Sequence, residues 1–178
     1  MNIICISGKA RHGKDTFAGF LADALERRGQ NVVIFHYADL LKFIAKQYFG
    51  WSGTKDEAGR TILQKLGTNI VRERDPDFWV NYAISLFSVF SEEWDYVLIA
   101  DCRFPNEIQK IREAGFNTVL HYEISRGANF DNGLTEAQKN HPSETALDDV
   151  EADHYICNFW GLQELQMEAE HTAEDLLY

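Results

Sequence analysis

Short apolar runs alternate with longer stretches of helical period along this chain. NIICIS (2–7), NVVIFHY (31–37), YVLIAD (96–101), NTVLHYEIS (117–125) and HYICN (154–158) are rich in β-branched and aromatic residues and predict five strands. Their near-continuous apolarity fits a parallel sheet covered on both faces. Between the first two, TFAGFLADALERR (16–28) puts Phe17, Phe20, Leu21, Ala24 and Leu25 on one helical face and closes at Gly29. ADLLKFIAKQYF opens a region that stays helical to about residue 91, where Asp75 and Pro76 make an N-cap and first-turn pair for DPDFWVNYAISLF. PNEIQKIREAG follows the third strand. LQELQMEAEHTAEDLL ends the chain with Leu162, Leu165, Ala169, Ala173 and Leu176 on one side. Strands alternating with helices predict an α/β fold, a parallel sheet between two helical layers.

Ligands of such sheets sit beyond the carboxyl ends of the strands. Three unusual polar stretches fall at those ends: GKARHGKDT after the first strand, DCRFPNE after the third and SRGANF after the fourth. The first nearly matches the phosphate-loop pattern G-x-x-x-x-G-K-[ST], with Asp15 in place of the hydroxyl. Gly8 and Gly13 allow the backbone of Lys9, Ala10, Arg11 and His12 to turn its N–H groups towards one anion. Lys14 would reach the outer phosphates, and the following helix points its positive end at them. Mg²⁺ accepts a carboxylate directly or through water, so Asp15 suits a metal site, and Thr16 still offers a hydroxyl. The plainer reading is a glycine-rich turn with Asp15 as an ordinary helix cap.

With 178 residues and 45% hydrophobic content, the chain suffices for one domain, and no apolar run is long enough to span a membrane. Cys5, Cys102 and Cys157 lie in apolar runs and read as buried, reduced thiols of a cytoplasmic protein. The net charge of −11 is lopsided: residues 140–178 hold 10 Asp and Glu and no Lys or Arg. Such a region repels nucleic-acid phosphates, so any phosphate is expected in a local pocket and not along a basic face.

GKDT, YADLLK (37–42), GRTILQKLGTNIVRERDPDFWV (59–80), DCRFPNE (101–107) and HPSETALDD (141–149), taken in order, resemble the deoxynucleoside monophosphate kinases of bacteriophages. These belong to the wider P-loop nucleoside monophosphate kinases, and the likeness runs from residue 3 to about 162. It implies a single three-layer kinase domain with five parallel strands, a helical acceptor-binding insert at about 39–91 and a lid at about 126–142. It also implies transfer of the γ-phosphoryl group of ATP to a deoxynucleoside monophosphate (dNMP) with Mg²⁺, as a cytoplasmic monomer or homodimer without nucleic-acid or membrane partners.

The acceptor's phosphate is already an anionic nucleophile, so such a site needs no general base and no Ser/His or Cys/His pair. It needs cations to gather two charged molecules. The chain offers Arg60 and Arg72 in the insert, with Gln64 and Trp79 implied near the base. Arg103 follows Asp101, whose strand-end carboxylate calls for an Arg partner or a metal-bound water. Asp39 and Lys42 resemble the family's acceptor-side helix start. Arg126 stands at the lid hinge, where the resemblance carries it to the transferring phosphate. In HPSE, His141, Ser143 and Glu144 are candidates for substrate contact, although Ser143 or Thr145 also suits a helix cap. Asn158 and Gly161 follow the last strand, where this fold lodges adenine. A kinase of another phosphorylated acceptor, phosphomevalonate-like, and a nucleotide-binding regulator without transferase activity remain as alternatives.

Overall fold

The computed structural model describes residues 1–54, 56–127 and 130–178. Its sheet has five parallel strands, β1 (Asn2–Ser7), β2 (Val32–Phe35), β3 (Tyr96–Ile99), β4 (Thr118–Ser125) and β5 (His154–Cys157), in the order β2-β3-β1-β4-β5. The five strands lie within the five apolar runs. β1 is central, with Ile3 level with Val97 on one side and Val119 on the other. Its alternating side chains feed two cores. Ile4 and Ile6 pack with Phe17, Leu21, Leu165 and Ala169 from α1 (Lys14–Glu26) and the C-terminal helix Leu162–Asp175. Ile3 and Cys5 pack with Tyr37, Trp79, Phe87, Ile108 and Ile111 on the opposite face. That second layer is built from α2 (Tyr37–Tyr48), Phe78–Val89 and Pro105–Glu113.

Between α2 and Phe78 the chain forms α3 (Glu57–Gln64), which runs on as a π-helical segment, Lys65–Arg72. A small third core of Ala45, Trp51 and Leu66 holds this part together. Gly67 makes the close approach possible, since a β-carbon there would stand 2.8 Å from Leu41 Cδ2. The Trp79 indole N–H donates to the Gly67 carbonyl at 3.2 Å, taking up a backbone acceptor in the widened turn. The later helices are α4 (Phe78–Val89), α5 (Pro105–Glu113), α6 (Glu136–Lys139), α7 (Pro142–Thr145) and α8 (Leu162–Asp175). No helix among the described residues is long and apolar enough to cross a membrane.

Several local expectations give way to better-placed partners. α4 starts at Phe78 behind Asp77, because Asp75 instead accepts the Asp77 amide at 3.1 Å in a tight local turn. α7 is capped by His141, whose Nδ1 accepts the Ser143 amide, and not by Ser143 or Thr145; Pro142 already fills the first helical position. Leu162 is exposed at the start of α8, one turn before its buried stripe begins at Leu165. Cys157 is exposed as well, being on the edge strand β5, whereas Cys5 and Cys102 are buried.

Candidate active site

The loop between β1 and α1 is shaped by two glycines with positive φ, Gly8 at 137° and Gly13 at 101°. A β-carbon on Gly8 would lie 2.2 Å from the Ile124 carbonyl oxygen, and one on Gly13 would lie 2.5 Å from Asn158 Nδ2. Only glycine fits either position. Lys14 is 7% exposed and its ammonium donates to the carbonyls of Gly8 and Lys9, both at 2.9 Å. The loop thus closes around its own lysine. Asn158 Nδ2 donates to the His12 carbonyl at 2.9 Å, so this side chain braces the loop.

Burial is the largest influence on Lys14 and the neighbouring Arg103 charge the next; together they draw its pKa down to about 8, against partial opposition from Glu144, Asp15 and Asp101. Because the folded value lies below the ordinary 10.5, stability of the empty chain rises with pH between about 8 and that value. A polyphosphate bound here would surround the amine with negative charge and return the proton, so anion affinity would be complete below pH 8 and lost as pH rises through it. We expect ATP-analogue affinity to be roughly tenfold lower at pH 9 than at pH 7, with proton uptake visible by calorimetry in buffers of different ionisation enthalpy. A flat affinity across this range would contradict the placement of Lys14.

Asp15 is 81% exposed in the first turn of α1, with Oδ1 3.1 Å from His36 Nε2. That hydrogen bond is the main reason the His36 pKa is raised, with burial opposing it. His36 precedes α2 and has no motif around it, so only the folded chain reveals it beside the loop. Thr16 is half-buried beside Asp15. Asp101 differs from its sequence reading. Neither an arginine nor a metal water is needed to relieve its burial: its two oxygens accept the amides of Tyr37 and Ala38, each at 2.9 Å, at the start of α2. Burial still raises its pKa, opposed first by the Ala38 amide, then by the His36 charge and the Tyr37 amide.

Next to the loop lies a cavity of about 270 Å³ in which Lys42, Gln64, Arg72, Trp79, Asp101 and Arg103 meet. Its apolar wall comes from Leu41, Leu63 and Trp79, with Trp79 only 3% exposed. Its cationic wall comes from Arg72 and Arg103. Arg60 lines a neighbouring cleft with Gln64, Arg103, Ala10 and Glu144. Asp39 stands aside from the cavity, 2.7 Å from Lys42 and 3.7 Å from His36.

Arg103 and Glu144 join the loop to this cavity. The Arg103 guanidinium donates to Glu144 Oε1 at 2.7 Å, to the Ser143 carbonyl at 3.2 Å and to the Gly8 carbonyl at 3.4 Å. The other Glu144 oxygen accepts the Ala10 amide at 2.9 Å. A carboxylate therefore rests on an N–H of the β1–α1 loop and an arginine, as an anionic ligand would. Lys9 donates to the Glu144 carbonyl and pairs with Asp148.

Arg126 directly follows β4. Its Nε donates to the Asn158 carbonyl at 3.3 Å, and its Cζ sits 4.5 Å from the Phe130 ring centroid. The His12 ring is buried against the same Phe130 at 5.6 Å and accepts the Arg126 amide at 3.3 Å, so His12 supplies a side chain as well as backbone. The polar stretch 126–142 contains α6, started by Thr135, and its residues 128 and 129 lie outside those described. A Ser/His pair does occur: Ser7 Oγ is 2.7 Å from His121 Nε2. Both residues are at most 1% exposed in the sheet, which makes the pair an internal tie and not a nucleophile.

Among the described residues no three His, Cys, Asp or Glu side chains cluster to form a metal cage. Asp15 and Thr16 offer a carboxylate and a hydroxyl side by side, a donor set of the kind Mg²⁺ accepts together with phosphates.

The sequence model of a family described as deoxynucleotide monophosphate kinase matches residues 41–168. A deoxynucleotide monophosphate kinase of Enterobacteria phage T4 is 28% identical over 169 residues, covering 93% of this chain. The chain spans 63% of that relative's length. An unliganded sugar kinase from Janibacter sp. HTCC2649 shares the fold with a TM-score of 0.54 at 14% identity, over 99% of this chain and 94% of the other.

Proposed function

Since this chain belongs to the deoxynucleotide monophosphate kinase family, we propose that it moves the γ-phosphoryl group of ATP to a deoxynucleoside 5′-monophosphate, giving ADP and a dNDP. The observation that supports this most is the shared wall: Arg103 faces the phosphate loop at Gly8 and also lines the cavity that holds Lys42, Gln64, Arg72 and Trp79. A donor phosphate in the loop and an acceptor phosphate in the cavity would meet there. Leu41, Leu63 and Trp79 would enclose the base, and Arg72 and Arg103 the acceptor phosphate. The insert and the stretch 126–142 would act as acceptor holder and lid.

In the reaction an anionic oxygen of the acceptor forms a bond to the γ-phosphorus while the bond to the bridging β–γ oxygen breaks. The leaving electrons stay on ADP. No proton is removed from the nucleophile, since a phosphate oxygen is already anionic at neutral pH. Lys14 and Arg103 offset charge on the transferring group, and the loop amides hold the donor phosphates. Mg²⁺, which neutralises phosphate charge when bound, would be held by Asp15 and Thr16; Asp101, occupied by two amides, would serve it only through water.

A coupled ADP-release assay with dTMP, dGMP, dCMP, dAMP and their ribose counterparts tests the reading. ADP release that requires a dNMP supports it. Equal release without any acceptor would favour a nucleotide-binding regulator. Release only with a non-nucleotide phosphate would move the chain to another acceptor.

A further inference from the structure

We propose that Glu107 is a positioning residue that holds Arg72 and Arg103 ready for the acceptor phosphate, an inference that rests on the acceptor reading of the cavity. Glu107 is 1% exposed at the first turn of α5, and its two oxygens serve two different elements. Oε2 accepts the amides of Arg103 at 2.6 Å and Phe104 at 3.0 Å, which fixes the turn from which the Arg103 side chain departs. Oε1 receives Nη2 of Arg72, the last residue of the π-helical segment. The Arg72 guanidinium is further set by the Pro76 carbonyl, 3.3 Å from Nη1, and by the Phe104 ring, whose centroid is 3.9 Å from Cζ.

A helix cap accounts for Oε2 alone. It does not account for the second oxygen, which is spent on an arginine from a distant part of the chain. That contact has a consequence for binding. Two guanidinium groups line one cavity, and a buried anion between their supports lowers the cost of holding them together before substrate arrives. A guanidinium carries five N–H groups, so the two bonds of Arg72 leave it donors for a phosphate in the cavity it lines. Preset arginines lose less freedom when the phosphate binds. The motif DCRFPNE thus supplies both a phosphate-gripping arginine and the carboxylate that orients two of them.

Glu107→Gln keeps a neutral oxygen for the two amides and removes the charge facing Arg72. Calorimetry with a dNMP and, separately, with a non-hydrolysable ATP analogue is the test, alongside the unfolding midpoint. We expect dNMP affinity to fall about ten- to a hundredfold, as for loss of a carboxylate that orients a binding group, with ATP-analogue affinity unchanged. In an Arg72→Gln background, Glu107→Gln should add little further loss. Undiminished dNMP affinity, fully additive losses in the double variant, or equal loss of both ligands would each overturn the proposal. If Glu107→Gln does not fold, Glu107→Asp, which keeps the charge but draws it back by one methylene, should give a smaller loss confined to dNMP; loss of both ligands alike would again overturn it. Failure of the wild-type chain to bind any dNMP would instead overturn the acceptor reading itself.

Discussion

Lys14→Met is expected to leave the chain folded and to lower phosphoryl transfer by about two to three orders of magnitude, the loss typical of removing one preorganised donor at a developing charge. The folded state tolerates the change for a physical reason. Lys14 is buried, and its depressed pKa of about 8 shows that the surroundings disfavour the ammonium in the empty site. Methionine fills nearly the same volume without that desolvation. What is lost is two hydrogen bonds to the Gly8 and Lys9 carbonyls, both in a loop still held by Asn158 and by the strained-for-all-but-glycine positions 8 and 13. The same depressed pKa marks Lys14 as a group whose charge is best satisfied only when phosphate arrives. Turnover measured by coupled ADP release, with circular dichroism to confirm folding, checks the prediction. Near-wild-type turnover in the folded variant would remove the phosphate loop from the mechanism.

The features legible in the sequence are those carried by local pattern. Apolar runs identify the strands: β1 and β3 are buried almost throughout and leave little room for polar positions, while β2, β4 and β5 are marked by their β-branched and aromatic residues. The glycine spacing identifies the loop, because Gly8 and Gly13 take backbone angles that few other residues share. Features set by distant partners were not legible. Asp101 finds its partners only in the fold, where the Tyr37 and Ala38 amides arrive from 64 and 63 residues away. Glu144 meets the Ala10 amide across 134 residues and Arg103 across 41, and no spacing rule reports such contacts. Glu107 lies inside DCRFPNE, but its contact with Arg72, 35 residues earlier, has no local signal. The likeness carries Arg126 to a phosphate, and the fold adds that its guanidinium lies over Phe130. The π-helical turn around Gly67 likewise has no periodic signature, because it depends on Leu41 and Trp79 packing against it.

Arg103→Lys should weaken dNMP binding about ten- to a hundredfold and lower turnover, with ATP-analogue affinity nearly unchanged. Hydrogen bonds to charged groups are worth about 1.5–3 kcal/mol each, and a lysine cannot present the two parallel donors with which a guanidinium grips phosphate. The structure sharpens the expectation. Arg103 leaves a turn pinned by Glu107, and its Nη1 already bridges Glu144, the Ser143 carbonyl and the Gly8 carbonyl. A lysine at 103 can keep a single ion pair with Glu144, so the loop contact through Ala10 survives and donor binding is spared. The planar fork facing the cavity does not survive. Calorimetry with each ligand separately, followed by KM and kcat for the dNMP, distinguishes the outcomes. Equal loss of both affinities would make Arg103 a structural clamp between loop and α7, and an unaltered dNMP affinity would shift the acceptor phosphate towards Arg72 and Arg60, which line the same cavity and its neighbouring cleft.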